Sequence, residues 1–137
     1  MTRDEAAESF VKVLIKAVSS TSNKSFIEAL STGIPKNIFG DLSKWYQSLD
    51  DNGRTHVESI TNEAVHFTLF NLLCFFDGVS GYDRVEGKPV NYTIVMETYR
   101  NIEDLENEEN ETAVRINSPS QEEPLLHNLF QNLTDRP

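Results

Sequence analysis

Residues His66 to Asp83 read HFTLFNLLCFFDGVSGYD, the most apolar run of the chain followed by a glycine-bearing turn. Everything before this stretch patterns as helix, and everything after it as strands, an acidic connection and a short tail. Val57, Ile60, Ala64 and Val65 recur on one face ahead of it. That spacing predicts a helix over 54–76, amphipathic in its first half and apolar nearly all round from Phe67 onward, hence buried. Periodicity alone also admits a strand over 69–76, because short apolar runs fit both. Asp77-Gly78 ends the element, with Gly78 suited to the left-handed position past a helix.

Upstream, Thr2 is placed to cap a first helix with Asp4 and Glu5 in its first turn, where negative charge meets the positive end of the dipole. Phe10, Val13, Leu14 and Ala17 form its apolar face, and the run Ser19 to Asn23 is expected to stop it. A short second helix carries Phe26, Ile27 and Leu30 and ends at Gly33. Pro35 opens a third, which Gly40 is expected to interrupt; Leu42, Trp45, Tyr46 and Leu49 make its stripe. Asp50 to Gly53 reads as a turn. As a calcium loop it fails, since Ser48 and Ser59 stand where carboxylates are required.

Downstream, 79–87 reads as a loop. Residues 90–100 alternate as a strand, with Tyr92, Ile94, Met96 and Thr98 on one side, and 112–117 is its antiparallel partner. Between them lies an acidic connection, and a last helix opens at Glu122, Glu123 and Pro124 with Leu125, Leu126, Leu129, Phe130 and Leu133 as its apolar face. The expected fold is one α+β domain over residues 1–137: N-terminal helices around a buried central helix, an antiparallel β-hairpin and a short C-terminal helix.

Charge is lopsided. Residues 1–50 hold six bases and six acids, whereas 51–137 hold six bases and sixteen acids, the whole of the net −10. Such a surface repels nucleic acid and anionic membrane and attracts a basic partner. The longest apolar run, Leu72 to Phe76, is too short to span a bilayer. No signal peptide is legible at the start, and the single cysteine fits a reducing cytoplasm.

Chemistry-bearing constellations are sparse. No His/Glu pair has zinc-hydrolase spacing, and the glycines do not form a phosphate-cradling loop. His66 and Cys74 on one helix stand about 12 Å apart by helical rise. Cys74 therefore reads as a small buried hydrophobe, and His127 as a residue at the edge of the last helix. No cofactor and no metal site is expected. Two surfaces remain as partner-binding candidates. One is the run Glu103, Asp104, Glu106, Glu108, Glu109 and Glu111, six acids in nine residues. Read blandly it is a solvated loop; read functionally it is a docking loop for Lys and Arg. The other is Asp77, Asp83 and Glu86 with Tyr82 between them, where loop chemistry competes with an interface of tyrosine and carboxylates.

At LLCFFDGVS (Leu72 to Ser80) and again at LLHNLF (Leu125 to Phe130) the chain resembles small bacterial proteins of unknown or immunity-type function. In these an apolar helix ends in an Asp-Gly-Val turn, a hairpin follows, and a Leu-His-Leu-Phe helix closes the chain. The resemblance implies an α+β domain in a bacterial cytoplasm, encoded beside a polymorphic toxin; it carries over no catalytic residue. The reading is a non-enzymatic acidic protein that masks a basic toxin domain, such as a nuclease. Its rivals are a homodimer that buries the Trp45/Tyr46 helix or the tail helix, and a small enzyme using His66.

Overall fold

The computed structural model describes residues 1–79, 83–117 and 124–134. Its elements run α1 (Arg3–Leu14), a π-helical segment (Ile15–Ser20), α2 (Thr21–Thr32), α3 (Lys36–Ser48), α4 (Asp51–Phe76), β1 (Asp83–Val85), β2 (Lys88–Val90), β3 (Val95–Thr98), α5 (Ile102–Glu106), β4 (Thr112–Arg115) and α6 (Leu126–Leu133). Helices with two small antiparallel sheets make this an α+β fold. The chain divides into two compact units, Met1–Val13 with Phe70–Pro137, and Leu14–Leu69. Helix α4 runs from the second into the first.

In the Leu14–Leu69 unit the hydroxyl-rich run does not stop the helix. Ser20 Oγ and Thr21 Oγ1 donate to the carbonyls of Ile15 and Lys16, five residues back, and the backbone stays helical through a wide π turn into α2. Gly33, at φ 69°, then ends α2 as expected. A Cβ there would come within 3.1 Å of Ser43 Cβ, so glycine also lets the middle of α3 come close. Gly40 does not interrupt α3, which is one helix following a cis Ile34–Pro35 bond. The expected turn at 50–53 is instead the start of α4: Asp50 Oδ1 accepts from the Gly53 N–H at 2.7 Å and caps the helix. Leu30, Ser43 and Tyr46 are buried, and the Tyr46 hydroxyl donates to Glu58 Oε1 at 3.3 Å. Burial and that carboxylate raise the Tyr46 pKa above its ordinary value.

In the other unit, Thr2 and Glu5 cap α1 reciprocally: the Glu5 N–H donates to Thr2 Oγ1, and the Thr2 N–H to Glu5 Oε2. These bonds hold the Glu5 carboxyl below its usual pKa. The buried face of α1 is Ala6, Ala7 and Val11, rotated from the expected Phe10/Val13/Leu14 face, and Val13 is mostly exposed. Small alanines let the helix sit close to its neighbours, which a count of large apolar residues misses. Leu73, Cys74, Ile116, Leu125, Leu126 and Phe130 complete this core.

Residues 69–76 are helical, which decides between the two readings of that run. Burial follows one face, Leu69, Leu73 and Cys74; Phe67, Leu72 and Phe75 keep more than a third of their surface exposed, so burial is not all round. The expected strand over 90–100 is shorter: β3 pairs with β4 in the register Val95↔Arg115 to Thr98↔Thr112. Ile94, Met96 and Thr98 face inward with Val95 and Glu97 outward, as the alternation predicts. The expected loop at 79–87 contains β1 and the turn into β2, a hairpin that sequence reading missed.

Candidate functional site

The acidic surfaces are positioned by buried polar side chains. Helix α4 ends with two reverse bonds, Gly78 N–H to Phe75 O and Val79 N–H to Cys74 O, around Gly78 at φ 72°. Asp77 lies at the helix cap, where the negative end of the dipole disfavours its carboxylate. The carboxylate turns instead to the positive end of α6. Its Oδ2 accepts from the backbone N–H of His127 at 3.0 Å and lies 2.8 Å from the ring Nδ1, the geometry of an Nδ1–H tautomer donating to it. Phe70 meets the same imidazole edge to face at 5.7 Å. Asp77 is fully buried and its Oδ1 has no hydrogen-bond partner.

Asn117 is the second fastener. Its Nδ2 donates to Phe76 O and Tyr92 O, both at 2.7 Å, and its Oδ1 accepts from the Ile94 N–H at 2.8 Å. One side chain thus satisfies a free carbonyl at the end of α4 and fixes the entry to β3. Arg3 adds a third tie, its guanidinium donating to Pro124 O at 3.1 Å.

From that frame the β3–β4 connection projects the acidic run. It is not a featureless loop: Asn101 Oδ1 caps α5 by accepting from the Asp104 N–H at 2.9 Å. The helix closes with the Glu108 N–H on Leu105 O and the Glu109 N–H on Asp104 O. Glu97 receives the Tyr99 hydroxyl at 2.8 Å and the Asn110 amide at 3.2 Å, drawing the connection against β3. The bond to Glu97, with burial and the charges of Glu97 and Glu108 behind it, raises the Tyr99 pKa. Glu103, Glu106, Glu108, Glu109 and Glu111 are exposed, and with them stand Ile102 and Leu105, 74% and 53% exposed.

The expected partner-binding residues therefore separate. Asp77 is corrected: it is enclosed and committed to α6, so its carboxylate does not reach a partner. Asp104 is corrected in part, because its carboxylate accepts from Arg100 Nε at 3.0 Å and only 14% of its side chain is exposed. Glu86 is exposed at the tip of the β1–β2 turn. Asp83 pairs with Val90 in β1, its side chain lying outside the described residues, as does Tyr82.

Two acids hold backbone conformations that glycine or asparagine adopts more cheaply. Glu86 has φ 51° and, with Gly87 at φ 78°, forms a two-residue turn of the type for which Asn-Gly is preferred. Glu108 has φ 58° where helices commonly place glycine. Each costs roughly 0.5–1 kcal/mol relative to the favoured residue. Glu86→Asn and Glu108→Gly are accordingly expected to raise stability by about that amount each, read from the urea midpoint; a fall at either would show that the carboxylate itself helps folding.

Among the described residues no group of three His, Cys, Asp or Glu side chains is arranged to hold a metal. Burial first, and then the charge of Asp77, push the Cys74 thiol above its ordinary pKa, the direction of an inert thiol. His66 is half-buried. Cavities of about 480 and 440 Å³ lie in the Leu14–Leu69 unit, and His66 lines neither. His127 and Asn117 are the residues sequence reading missed. Their partners lie 50 and up to 41 residues away, beyond any local pattern.

Comparison of the chain with protein-family models, with curated proteins and with solved structures finds no match.

Proposed function

We propose that this chain is a non-enzymatic acidic binding protein of the immunity type, which neutralises a basic toxin domain by covering the Lys and Arg side chains that would hold its nucleic acid. The observation that carries the reading is the β3–β4 connection, where exposed glutamates surround exposed Ile102 and Leu105 on a capped helical turn. Carboxylates steer the encounter and pair with cations, and an apolar centre supplies the contact that charge alone does not. Charge supports it further. The Met1–Val13/Phe70–Pro137 unit holds seven bases and sixteen acids, net −9, against five and six, net −1, in the other unit. No helix among the described residues is long and apolar enough to cross a membrane. A bacterial cytoplasm is the proposed setting, where a single buried thiol stays reduced.

The test is capture on the immobilised full-length chain from its native cells, washed at low and then high salt. The expected result is one stoichiometric basic protein that high salt removes and whose toxicity co-expression of this chain suppresses. Capture of no basic protein, or of one that high salt leaves in place, would contradict the proposal.

A further inference from the structure

The cavity of about 440 Å³ in the Leu14–Leu69 unit lies between α4 and the junction of the π-helical segment with α2. Its lining is polar apart from Ile27: Ser19, Ser20, Asn23 and Lys24 stand on one wall, Glu58 and Asn62 on the other. A seam between two helices is ordinarily closed by apolar side chains, so this composition needs a cause. Local structure supplies little of one. Ser20 Oγ donates to Ile15 O, but among the described residues no hydrogen bond engages the side chain of Ser19, Asn23 or Asn62. All three are partly buried within helical backbone, where serine and asparagine are poor formers. The Asn23 Oδ1 is enclosed and has no partner. Enclosed polar groups without partners are few in a folded protein, and here they gather at one cavity. The π turn that carries Ser19 and Ser20 to its wall is an irregularity that recurs at functional sites.

The charges narrow the chemistry. Lys24 and Glu58 give the cavity one cation and one anion, from opposite walls, and they do not pair with each other. Lys24 has no anionic partner among the described residues. Glu58 accepts the Tyr46 hydroxyl on Oε1 at 3.3 Å, and no described residue donates to its Oε2. Two opposite charges that face one cavity and leave each other unpaired are complementary to a molecule that carries both. Glu58 disfavours a polyanion, and an apolar molecule would strip water from the polar walls without replacing its hydrogen bonds. The volume is near the small end of the range for ligand sites and suits a molecule of amino-acid size.

We infer that this cavity binds a free α-amino acid with a polar side chain. The Lys24 ammonium and the Ser19 hydroxyl donate to the α-carboxylate, and Glu58 Oε2 accepts from the α-ammonium. The amides of Asn23 and Asn62, each a donor and an acceptor, take the ligand's side chain. The site belongs to the nearly neutral unit and makes no use of the β3–β4 connection.

Titration of the ¹⁵N-labelled full chain with L-serine, L-asparagine or L-glutamine, read from amide chemical shifts, tests this. The expected result is saturable binding of at least one of them with a dissociation constant of about 1 mM or below, its shifts centred on residues 19–27 and 58–62. N-acetyl-L-glutamine and L-glutaminamide, which lack the cation and the anion respectively, should bind at least about 10-fold more weakly. Lys24→Gln and Glu58→Gln should each weaken binding by a similar factor; both positions are exposed, and circular dichroism checks their folding. Asn62→Ala should weaken binding while leaving the urea midpoint unchanged or raised, because alanine favours the helix and the amide has no internal bond to lose. No saturable shift with any of the three amino acids up to about 10 mM would overturn the inference. So would shifts centred elsewhere, blocked probes that bind as well as the free ones, binding untouched by either charge variant, or an Asn62→Ala chain that loses stability and keeps its affinity.

Discussion

Asn117→Ala is expected to lower the folding stability of the chain by about 3 kcal/mol. The side chain makes three hydrogen bonds from a position only 2% exposed, and each ends on a backbone group that loses this partner when the amide is removed. A net of roughly 1 kcal/mol per bond is typical, more where the orphaned group stays enclosed, and less at exposed Tyr92 than at half-buried Phe76 and Ile94. The orientation is set by its partners: two carbonyls demand the amide nitrogen and one N–H demands the oxygen. Asn117→Asp is therefore not conservative. It keeps the acceptor for Ile94 and turns a second oxygen on two carbonyls, so its cost should equal or exceed that of alanine. Urea unfolding monitored by circular dichroism measures both. A loss below about 1 kcal/mol for alanine would mean that β3 is held by its apolar contacts alone.

Asp77→Ala should cost about 2–4 kcal/mol, and its relation to His127 is the more informative part. The carboxylate caps α6 through one backbone N–H and orients one imidazole, so removing it frees both. His127→Ala keeps the backbone bond but leaves a buried carboxylate with a single donor and an unpartnered Oδ1; about 2 kcal/mol is expected. The double substitution should cost little more than Asp77→Ala alone, since the two side chains act as one joint. Simple additivity of the two losses would contradict that joint. Hydrogen exchange offers a second reading: in Asp77→Ala, the amides of α6 should exchange faster than those of α2.

What was legible in the sequence follows from the range over which each interaction acts. Gly33 and Gly78 end their helices where read, because a left-handed residue is a local demand that glycine meets. The α+β order and the β3–β4 pairing were legible from alternation. The π segment was not, since the same hydroxyls that break helices also bond back to carbonyls five residues earlier. The β1–β2 hairpin escaped because Glu86-Gly87 lacks the asparagine that announces such turns. Helix α5 was legible in principle from Asn101 followed by acids at Glu103 and Asp104, the composition of a capped first turn; the density of charge there drew the reading toward a loop. Asp77 read as a surface acid because nothing nearby in sequence names its partner. The two segments that carried the resemblance, around Asp77 and around His127, are those which that hydrogen-bonded pair joins.

The proposed acidic docking surface is most directly tested by the association rate of the captured basic partner with the wild-type chain and with Glu106→Lys/Glu108→Lys/Glu109→Lys. All three positions are exposed, so circular dichroism and the urea midpoint should show the fold retained. The prediction is a rate at least about 10-fold slower for the variant at low salt, with the difference shrinking as ionic strength rises. An equal rate for the two chains at low salt would remove the β3–β4 connection from the interface.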